Sequence, residues 1–364
     1  MIAVIADDLS GAAELAGAAL RHGLSAEVQT VFTRRTDADV ICVDTDTRSL
    51  SPKAAAHAAG EAARHVAEAN PEWIYKKVDS VLRGHVLAEL KAIMTAAGRL
   101  RTILISANPS RKRVIRDGHL FVDDQPLHAT AFARDPEHPR TTSRVADLLG
   151  GDLSGVDAPD AGSTADLIRH AALVDDGTLA AGGVEFFEAL LARHGFAPSA
   201  SVNHPAGKDR FSAGSGRSDS HPITLAVCGS AASWSRRRQQ AAEREIPTFS
   251  LPLDSAEITG AIRSHGIALI GIGDGPATRG IAASILLGKL AQASAEVIRE
   301  ASVARVLLEG GATAAAVVRE LGWSRLCAYE ASAAGVGTLR PVQATAPILS
   351  IKPGSYDWPT ELWP

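Results

Sequence analysis

Residues 2–12 have the sequence IAVIADDLSGA, in which a short apolar run leads directly into two adjacent aspartates. The run Ile2–Ala6 is typical of a strand that is buried on both faces of a parallel sheet. Gly11–His22, rich in Ala and Leu, then predicts a helix. Ligands of such sheets bind beyond the carboxyl ends of the strands, which is where Asp7 and Asp8 fall.

The alternation of strand and helix continues along the whole chain. In the first half we predict strands at Val28–Phe32, Val40–Val43, Trp73–Lys77 and Thr102–Ile105, helices at Pro52–Ala69, Val86–Ala97, Thr164–Ala172 and Val184–His194, and a hairpin within Gly118–Leu127. In the second half we predict strands at Ile223–Cys228, Thr248–Leu251, Ile267–Ile270 and Arg305–Leu308, helices at Ser233–Arg244, Thr278–Glu300 and Thr313–Leu321, and short C-terminal strands. This order predicts an α/β protein with two doubly wound domains, mostly parallel sheets and a cleft between the domains.

The amino-acid composition changes at residues 198–222, PSASVNHPAGKDRFSAGSGRSDSHP. This segment holds Ser, Gly, Pro and charged residues but almost no large apolar side chain, a composition typical of a linker or a disordered segment. A chain of 364 residues also exceeds the usual size of one core-forming unit. We therefore predict a first domain at 1–197 and a second domain at 223–364.

Composition narrows the class of partners. The chain is 46% hydrophobic and carries a formal net charge of −4 with mixed signs, so we expect neither nucleic acid nor a membrane surface as a partner. Three widely spaced cysteines argue against a disulfide framework and fit a reducing compartment. The first residues lack the features of a signal peptide and no apolar stretch is long enough to span a bilayer, which predicts a cytoplasmic protein.

The Asp7–Ala12 motif joins the first strand to the first helix, where unpaired backbone N–H groups favour polar ligands. Paired carboxylates at this position can hold hydroxyl groups or a hydrated metal, and Gly11 allows a close approach to the backbone. The alternative is a helix cap formed by Asp8 or Ser10. A cap needs only one such residue, so the adjacent pair favours a binding site.

Residues 76–85, KKVDSVLRGH, again follow a predicted strand and precede a helix. Basic side chains there can bind a carboxylate while acidic and hydroxyl groups bind hydroxyls, so the candidates are Lys77, Asp79, Ser80 and Arg83. An exposed loop with a local ion pair is the alternative. Residues 108–119 hold four basic residues, for which a solvated charge run competes with a substrate-facing role.

The second domain contains three turns of small residues, at Cys228–Ser233, Gly310–Ala315 and Lys352–Ser355. Backbone N–H groups at the start of a helix can wrap phosphate oxygens, although tight packing of strand against helix selects the same residues. The turns predict a nucleotide site, and the candidate residues are Gly229, Ser230, Gly310, Gly311, Thr313, Lys352 and Gly354 within them and Gly273 outside them.

Common motifs for binding dinucleotides, phosphates and metals are incomplete or absent in this sequence. Gly271–Pro276 imitates a dinucleotide-binding turn, but Pro276 occupies the position of the third glycine. The sequence has no GxxxxGK[ST] phosphate loop, and its 12 histidines show no HExxH spacing, so it names no metal ligands.

Together these motifs resemble the four-carbon acid sugar kinases, the family of D-threonate, D-erythronate and 3-oxo-tetronate kinases. The segments that carry the resemblance are Asp7–Ala12, Lys76–Leu90, Pro109–Leu120, Phe132–Pro136, Cys228–Ser230, Gly310–Thr313 and Lys352–Ser355. They are similar to the family's DDLTGA, KKxDSTLRGxxxAEL, Pro-x-x-Gly-Arg and ARDP segments and to its nucleotide-binding turns. Ser10 and Val81 replace threonines, and Lys112 replaces a glycine.

In that family the first domain binds the sugar acid, the second binds ATP, and phosphate passes to a terminal hydroxyl in the cleft. The resemblance implies that Asp8 is catalytic and that the substrate-binding residues are Asp7, Lys77, Asp79, Ser80, Arg83 and Arg113. It implies ATP and Mg²⁺ as cofactors, because phosphoryl transfer needs alignment, charge neutralisation and a base near the attacking hydroxyl. A homodimer is a common assembly for such enzymes.

The second domain departs from the family at one position. The usual GGDT segment is GGAT here, so Ala312 replaces a carboxylate expected beside the phosphates, and Asp274 and Glu309 are candidates to compensate. The kinase hypothesis therefore has two competitors. One is a kinase-like protein that binds a sugar acid or nucleotide without phosphoryl transfer. The other is an enzyme of the same fold with altered chemistry or a larger acidic substrate, which Lys112 suggests.

Overall fold

The computed structural model describes residues 1–135, 137–198, 222–330, 335–342, 347–354 and 356–363. These residues form two compact units, one on each side of the gap at 199–221. The predicted linker lies almost entirely outside the described residues, so the domain limits 1–197 and 223–364 stay a prediction. Every helix in the described ranges is too short or too polar to traverse a bilayer.

The first unit is built on a parallel sheet. Its strands are β1 (Ile2–Ala6), β2 (Ala26–Gln29), β3 (Val40–Asp44), β4 (Ile74–Lys77), β5 (Arg101–Ile105), β6 (Arg113–Arg116), β7 (His119–Val122), β8 (Gln125–Pro126), β9 (Val156–Asp157) and β10 (Thr178–Gly182). Its helices are α1 (Leu9–Arg21), α2 (Pro52–Ala67), α3 (Val86–Ala96), α4 (Val145–Leu149), α5 (Thr164–Ala171) and α6 (Val184–Arg193). The main sheet has the order β2-β3-β1-β4-β10-β5-β9 with every pairing parallel, and β6–β8 form a separate antiparallel sheet.

The position of β1 explains where this unit can bind a ligand. All five residues of β1 are buried, and the strand lies between β3 and β4. The chain therefore runs to opposite sides of β1, which makes its carboxyl end a topological switch point. Helix α1 begins directly after it, is buried from Leu9 to Leu20, and holds Asp7 and Asp8 at the edge of the sheet.

The second unit repeats this plan with an antiparallel extension. Its strands are β11 (Thr224–Cys228), β12 (Thr248–Ser250), β13 (Ile267–Gly271), β14 (Arg305–Glu309), β15 (Arg325–Glu330), β16 (Gly337–Pro341) and β17 (Ile348–Lys352), and its helices are α7 (Ala231–Ala242), α8 (Ser255–His265), α9 (Ala283–Glu300) and α10 (Gly311–Glu320). The order is β12-β13-β11-β14-β17-β16-β15, in which β16 is antiparallel to both of its neighbours. The predicted α/β class with mostly parallel sheets is confirmed; the predicted cleft stays a prediction.

Several elements differ from the sequence prediction, among them β6, β9 and α4, which were not predicted. Strand β10 and helix α8 were not predicted, because TLAAG and SAEITGAIRSH offer weak strand and helix patterns. Helix α9 begins at Ala283 rather than Thr278, after a short 3₁₀ turn at Pro276–Thr278 and a glycine with φ +74° at position 280. Local sequence thus understated elements whose formation depends on packing.

Strand β10 supplies a stability prediction. A Cβ atom on Gly182 would lie 2.0 Å from the carbonyl oxygen of Ile105 and 3.0 Å from the hydroxyl of Tyr75, so neighbouring backbone would have to move. We expect Gly182→Ala to lower the free energy of unfolding by about 3 kcal/mol in chemical denaturation. The matched control is Gly60→Ala in α2, where the new Cβ would make an ordinary 3.5 Å contact with Ala92 and add up to about 1 kcal/mol. Equal effects of the two substitutions would contradict the packing argument.

Candidate functional site

Three strand ends of the first unit bring acidic and basic side chains together. The ends of β1, β3 and β4 are neighbours in the sheet, so the segments that follow them, 7–8, 45–48 and 78–83, share one edge. Backbone hydrogen bonds join the first two segments, since Thr47 and Arg48 both donate to the carbonyl of Asp7. The predicted residues Asp7, Asp8 and Asp79 therefore meet around Arg48.

Arg48 is the residue on which these carboxylates converge. Its Nε donates to Asp7 Oδ2 at 2.7 Å and its Nη1 donates to Asp8 Oδ2 at 3.0 Å. Nη1 also lies 3.8 Å from Asp79 Oδ1, and the side chain is 17% exposed. Sequence reasoning missed Arg48. The signal was present, because the polar segment Thr45–Arg48 directly follows β3 at the same edge.

The two adjacent aspartates have different surroundings. Asp8 caps α1, since its Oδ1 accepts from the backbone N–H of Gly11 at 2.9 Å and its Oδ2 accepts from the hydroxyl of Ser10 at 2.6 Å. Both oxygens of Asp8 are thus occupied, as the helix-cap interpretation predicted. Asp7 Oδ1, in contrast, is buried without a hydrogen-bond partner in the described part of the chain.

Asp79 and Arg83 form a two-pronged ion pair. Arg83 Nε and Nη2 donate to the two carboxylate oxygens of Asp79 at 3.0 and 2.8 Å, and the backbone N–H groups of Val81 and Arg83 add two further bonds. Burial opposes ionisation, but Arg83 and Arg48 outweigh it and hold the pKa of Asp79 well below its usual range. Arg83 Nη1 also donates to Asp135, at 3.1 Å.

Ser80, Arg113 and Phe132 form a second contact group at this edge. Arg113 Nη1 donates to the hydroxyl of Ser80, and the guanidinium carbons of Arg113 and Arg83 each lie 5.7 Å from the centre of the Phe132 ring. Arg113 and Phe132 belong to the segment that contains β6–β8. That segment therefore covers the loop after β4 with cationic and aromatic groups.

The two lysines of β4 are buried in separate ion pairs. Lys76 pairs with Glu89, which also accepts from the hydroxyl of Thr47 at 2.9 Å. Lys77 lies 3.4 Å from Glu14 and donates to the carbonyl of Val78 at 3.0 Å. A Cβ on Gly11 would lie 2.9 Å from Asp8 Oδ1 and 3.2 Å from Lys77 Cγ, so the absence of a side chain at Gly11 leaves room for both side chains.

The carboxyl groups at this edge have pKa values that are shifted in opposite directions. Burial would raise the pKa of Asp7, but Arg48 and Lys76 outweigh it and lower that pKa, which keeps Asp7 ionised. Asp44, at the end of β3, has no such cation. Burial and the neighbouring Asp46 raise the pKa of Asp44 well above its ordinary value and favour its protonated form. The edge therefore combines ionised hydrogen-bond acceptors with a buried carboxyl group whose pKa is raised.

The Asp79–Arg83 pair predicts a pH-dependent stability. We expect Asp79→Asn to lower the free energy of unfolding by about 3 kcal/mol at pH 7, because it leaves Arg83 without its buried partner. Since the pKa of Asp79 is depressed in the folded protein, its stabilisation is present above pH ~4 and is lost as the pH falls. Chemical denaturation between pH 7 and 3 should show the difference from wild type shrinking below pH ~4. Asp147→Asn, at a mostly exposed ion pair with Arg144, is the control and should change little. A difference independent of pH would contradict the assignment.

The three predicted turns of the second unit also converge. The ends of β11, β14 and β17 are adjacent, with Cys228 opposite Glu309 and Glu309 opposite Lys352. A Cβ on Gly229 would lie 2.0 Å from Thr313 Oγ1, and a Cβ on Gly354 would lie 2.9 Å from Ser230 Oγ. The N–H of Gly310 donates to the carbonyl of Lys352 at 2.8 Å, so the turns are joined directly. Ser355 lies outside the described residues.

Beneath these turns lies a buried charge cluster that we call the Glu309 cluster: Arg237, Glu309, Lys352 and Trp358. Arg237 Nε donates to Glu309 Oε2 at 2.7 Å, Trp358 Nε1 donates to the same oxygen at 3.0 Å, and Lys352 Nζ lies 2.9 Å from Oε1. Burial, reinforced by Arg237, lowers the pKa of Lys352 to about 8 despite the attraction of Glu309. Glu309 is thus held in buried ion pairs with Arg237 and Lys352 and is poorly placed to replace the carboxylate absent at Ala312.

The N–H groups in the first turn of α10 support a phosphate site more strongly than the glycines of the turns do. The close contacts of Gly229 and Gly354 are explained by packing, which was the alternative interpretation. The N–H groups of Gly311, Ala312 and Thr313, however, have no acceptor among the residues that the structure describes, and the helix has no side-chain cap. Such unpaired N–H groups, above a cluster with two cations and one buried acid, suit phosphate oxygens.

Two other predicted residues lie apart from this group. Gly273, with φ +82°, follows β13, and a Cβ there would meet Ser250 Cβ at 2.7 Å. The close neighbour of Gly273 is thus the end of β12. Asp274 is more than half exposed and lies 3.6 Å from Arg238. Within the described ranges no three His, Cys, Asp or Glu side chains are grouped to hold a metal ion.

The Glu309 cluster gives a second stability prediction. Glu309→Gln should lower the free energy of unfolding by about 3 to 5 kcal/mol, because Arg237 and Lys352 would remain buried without a counter-charge. Denaturation followed by tryptophan fluorescence would report it, since Trp358 contacts the cluster. Glu320→Gln, at the exposed end of α10, is the matched control and should be nearly neutral. Equal stability of the two variants would show that the cluster is dispensable.

The sequence comparisons identify the first unit. Residues 2–182 match the family model of the sugar-binding N-terminal domain. A D-threonate kinase of Salmonella typhimurium is 33% identical over 149 residues, which cover 40% of this chain and 35% of that protein. A D-erythronate kinase of Heliobacterium modesticaldum is 32% identical over 41% of this chain and 35% of its own length, and a 3-oxo-tetronate kinase of Brucella melitensis is 29% identical over 42% and 37%.

These matches place the first unit in the class of sugar-binding domains. The matches to four-carbon acid sugar kinases confirm the family resemblance predicted from the motifs. The matched region spans only about a third of the length of these curated relatives.

Solved structures resemble the chain over almost its whole length. A protein from Salmonella typhimurium LT2 aligns with a TM-score of 0.74 at 17% identity, covering 98% of this chain and 96% of its own. A Haemophilus influenzae protein of the DUF1537 family model aligns with a TM-score of 0.69 at 20% identity, covering 98% and 97%. At these identities the similarity concerns the fold alone.

Proposed function

We propose that this protein is an ATP-dependent kinase that phosphorylates a terminal hydroxyl of a four-carbon or similar sugar acid. The observation that carries the proposal is the convergence of Asp7, Asp8 and Asp79 around Arg48 at the switch point of a sugar-binding domain. Ligands of parallel sheets bind at this position, and mixed carboxylate and guanidinium groups suit a polyhydroxy acid.

The proposed division of roles follows the charges of this edge. Asp7 and Asp8 would accept hydrogen bonds from the hydroxyl groups, with Asp8 as the catalytic residue inferred from the motif. Lys77, Asp79, Ser80, Arg83 and Arg113 would complete the substrate site. Arg113 and Arg83, which flank Phe132, supply the cationic end that an acid requires.

The second unit is proposed to bind ATP, which supplies the phosphoryl group. The unpaired N–H groups of Gly311, Ala312 and Thr313 would donate to its phosphate oxygens, and Gly229, Ser230, Gly310, Lys352 and Gly354 would shape the turns around them. Gly273 would lie at the adjoining strand end. Mg²⁺ would neutralise the charge of the phosphates, held largely by the nucleotide itself.

A binding protein without phosphoryl transfer is the second candidate. It is favoured by Ala312, whose exposed position in the first turn of α10 offers no carboxylate, and by the engagement of Glu309 with two hydrogen-bond donors and the Lys352 ion pair. In this alternative the first unit would still bind a sugar acid.

An ATP-consumption assay with Mg²⁺ separates the two candidates. The intact chain is tested against D-threonate, D-erythronate and 3-oxo-tetronates, with phosphorylated product identified by mass spectrometry. We expect turnover with at least one acid and a loss of at least ~100-fold in kcat/KM for Asp8→Ala, because the carboxylate pair loses a member. Asp147→Asn is the surface control.

The outcomes are distinct. Binding of an acid without phosphorylated product would overturn the kinase and favour the binding protein. Product formation that survives in Asp8→Ala would instead remove Asp8 from the catalytic role and leave the kinase intact.

A further inference from the structure

Arg48 has one edge held by protein and one edge turned outward. Its Nε and Nη1 are fixed by Asp7 and Asp8, at 2.7 and 3.0 Å. These two bonds come from adjacent residues at the end of β1, and together they fix the plane of the guanidinium.

The remaining nitrogen, Nη2, has no acceptor among the residues that the structure describes. Nη2 is not buried, unlike Asp7 Oδ1, which is buried without a partner. Nη2 therefore faces solvent, in a side chain that is 17% exposed. Two N–H donors of a rigidly held arginine are therefore presented at the carboxyl edge of β1, β3 and β4. Donors in such a position suit an oxygen atom of a ligand.

The surrounding charges decide which oxygen. Three carboxylates, those of Asp7, Asp8 and Asp79, lie at 2.7, 3.0 and 3.8 Å from the guanidinium nitrogens, and Arg83 offsets the charge of Asp79, so Arg48 already balances the two carboxylates of Asp7 and Asp8. The two lysines of β4 are engaged elsewhere, since Lys76 pairs with Glu89 and Lys77 pairs with Glu14. A fourth carboxylate at Nη2 would be repelled, whereas a neutral hydroxyl oxygen would not.

We propose that Arg48 is a substrate-binding and specificity-determining residue whose Nη2 donates to a hydroxyl oxygen of the sugar acid, while the acid's carboxylate lies away from it. The inference rests on the proposed function and deepens it, because it orients the substrate. The hydroxyl end of the acid lies at Asp7, Asp8 and Arg48, and the carboxylate end lies toward the loop that carries Ser80.

The test uses Arg48→Lys, which keeps the positive charge between Asp7 and Asp8 but removes the Nη2 donors. Arg64→Lys is the matched control, because Arg64 is an exposed arginine of α2 paired with Glu61. Binding to the intact chain is measured by isothermal titration calorimetry. The probes are D-threonate, D-erythronate, the 2-, 3- and 4-deoxy analogues of threonate, and threonamide, which lacks the carboxylate charge. Thermal melting verifies that each variant is folded.

We expect Arg48→Lys to weaken binding of the better tetronate by ~10- to 100-fold, as loss of a charge-assisted hydrogen bond does, and Arg64→Lys to leave it unchanged. With one deoxy analogue the ratio between wild type and Arg48→Lys should fall below about 3, because the contacted hydroxyl is then absent. With threonamide the full ratio should persist.

Other results overturn the inference. A ratio that collapses with threonamide instead would place the carboxylate at Arg48. The same ratio with every probe would make Arg48 a purely structural residue. If wild type binds none of these acids, the proposed function fails and the inference fails with it, whereas binding by wild type with no effect of Arg48→Lys sinks the inference alone.

Discussion

The parallel arrangement of β1, β3 and β4 imposes the constraint on which the first unit depends. Parallel strands end at one edge, so the acidic residues that follow them are brought into mutual repulsion, and burial makes that repulsion costly. The guanidinium of Arg48 offsets it by bonding to Asp7 and Asp8 and approaching Asp79. The same contact ties the loop after β3 to the loop after β1. Arg48 therefore both balances the charges at this edge and fixes the two loops relative to each other. The shape of the edge depends on these contacts.

In the second unit the charges are reversed, because buried cations surround a single acid. Two cations, Arg237 and Lys352, meet on one buried acid, Glu309, and indole rings close the cluster, with Trp358 donating to the acid and Trp363 lying against Arg237. An acid-rich edge suits hydroxyl groups, whereas a cation-rich base beneath a helix start suits anions. The two units thus share a sheet plan while the ends of their strands favour different chemistries, which is consistent with one domain for the acid and another for the nucleotide.

The strand-end rule explains how much of this could be predicted. It located Asp7, Asp8, Asp79 and the turns of the second unit from the sequence, because each follows a short apolar run. The same rule applies to the polar segment Thr45–Arg48 after β3, but the role of Arg48 between Asp7 and Asp8 depends on β3 lying beside β1, a pairing that local patterns do not encode. Nor could it separate packing from binding at Gly229, since the contact with Thr313 Oγ1 joins residues far apart in the chain. Strand β10 was missed for the same reason: small residues form it only between two existing strands.

The segment that carries β6–β8 has a different consequence. It contributes Arg113, Phe132 and Asp135 to the wall of the proposed site, yet its strands form a sheet separate from the main sheet. Replacing such a segment would change one wall of the site without disturbing the ladder that holds Asp7 and Asp8. On the proposed function, related proteins would diversify their choice of acid by exchanging this one segment, while Arg48 and the aspartates that it binds at the strand ends stay fixed. Substrate range and stability are, in this architecture, separately evolvable traits.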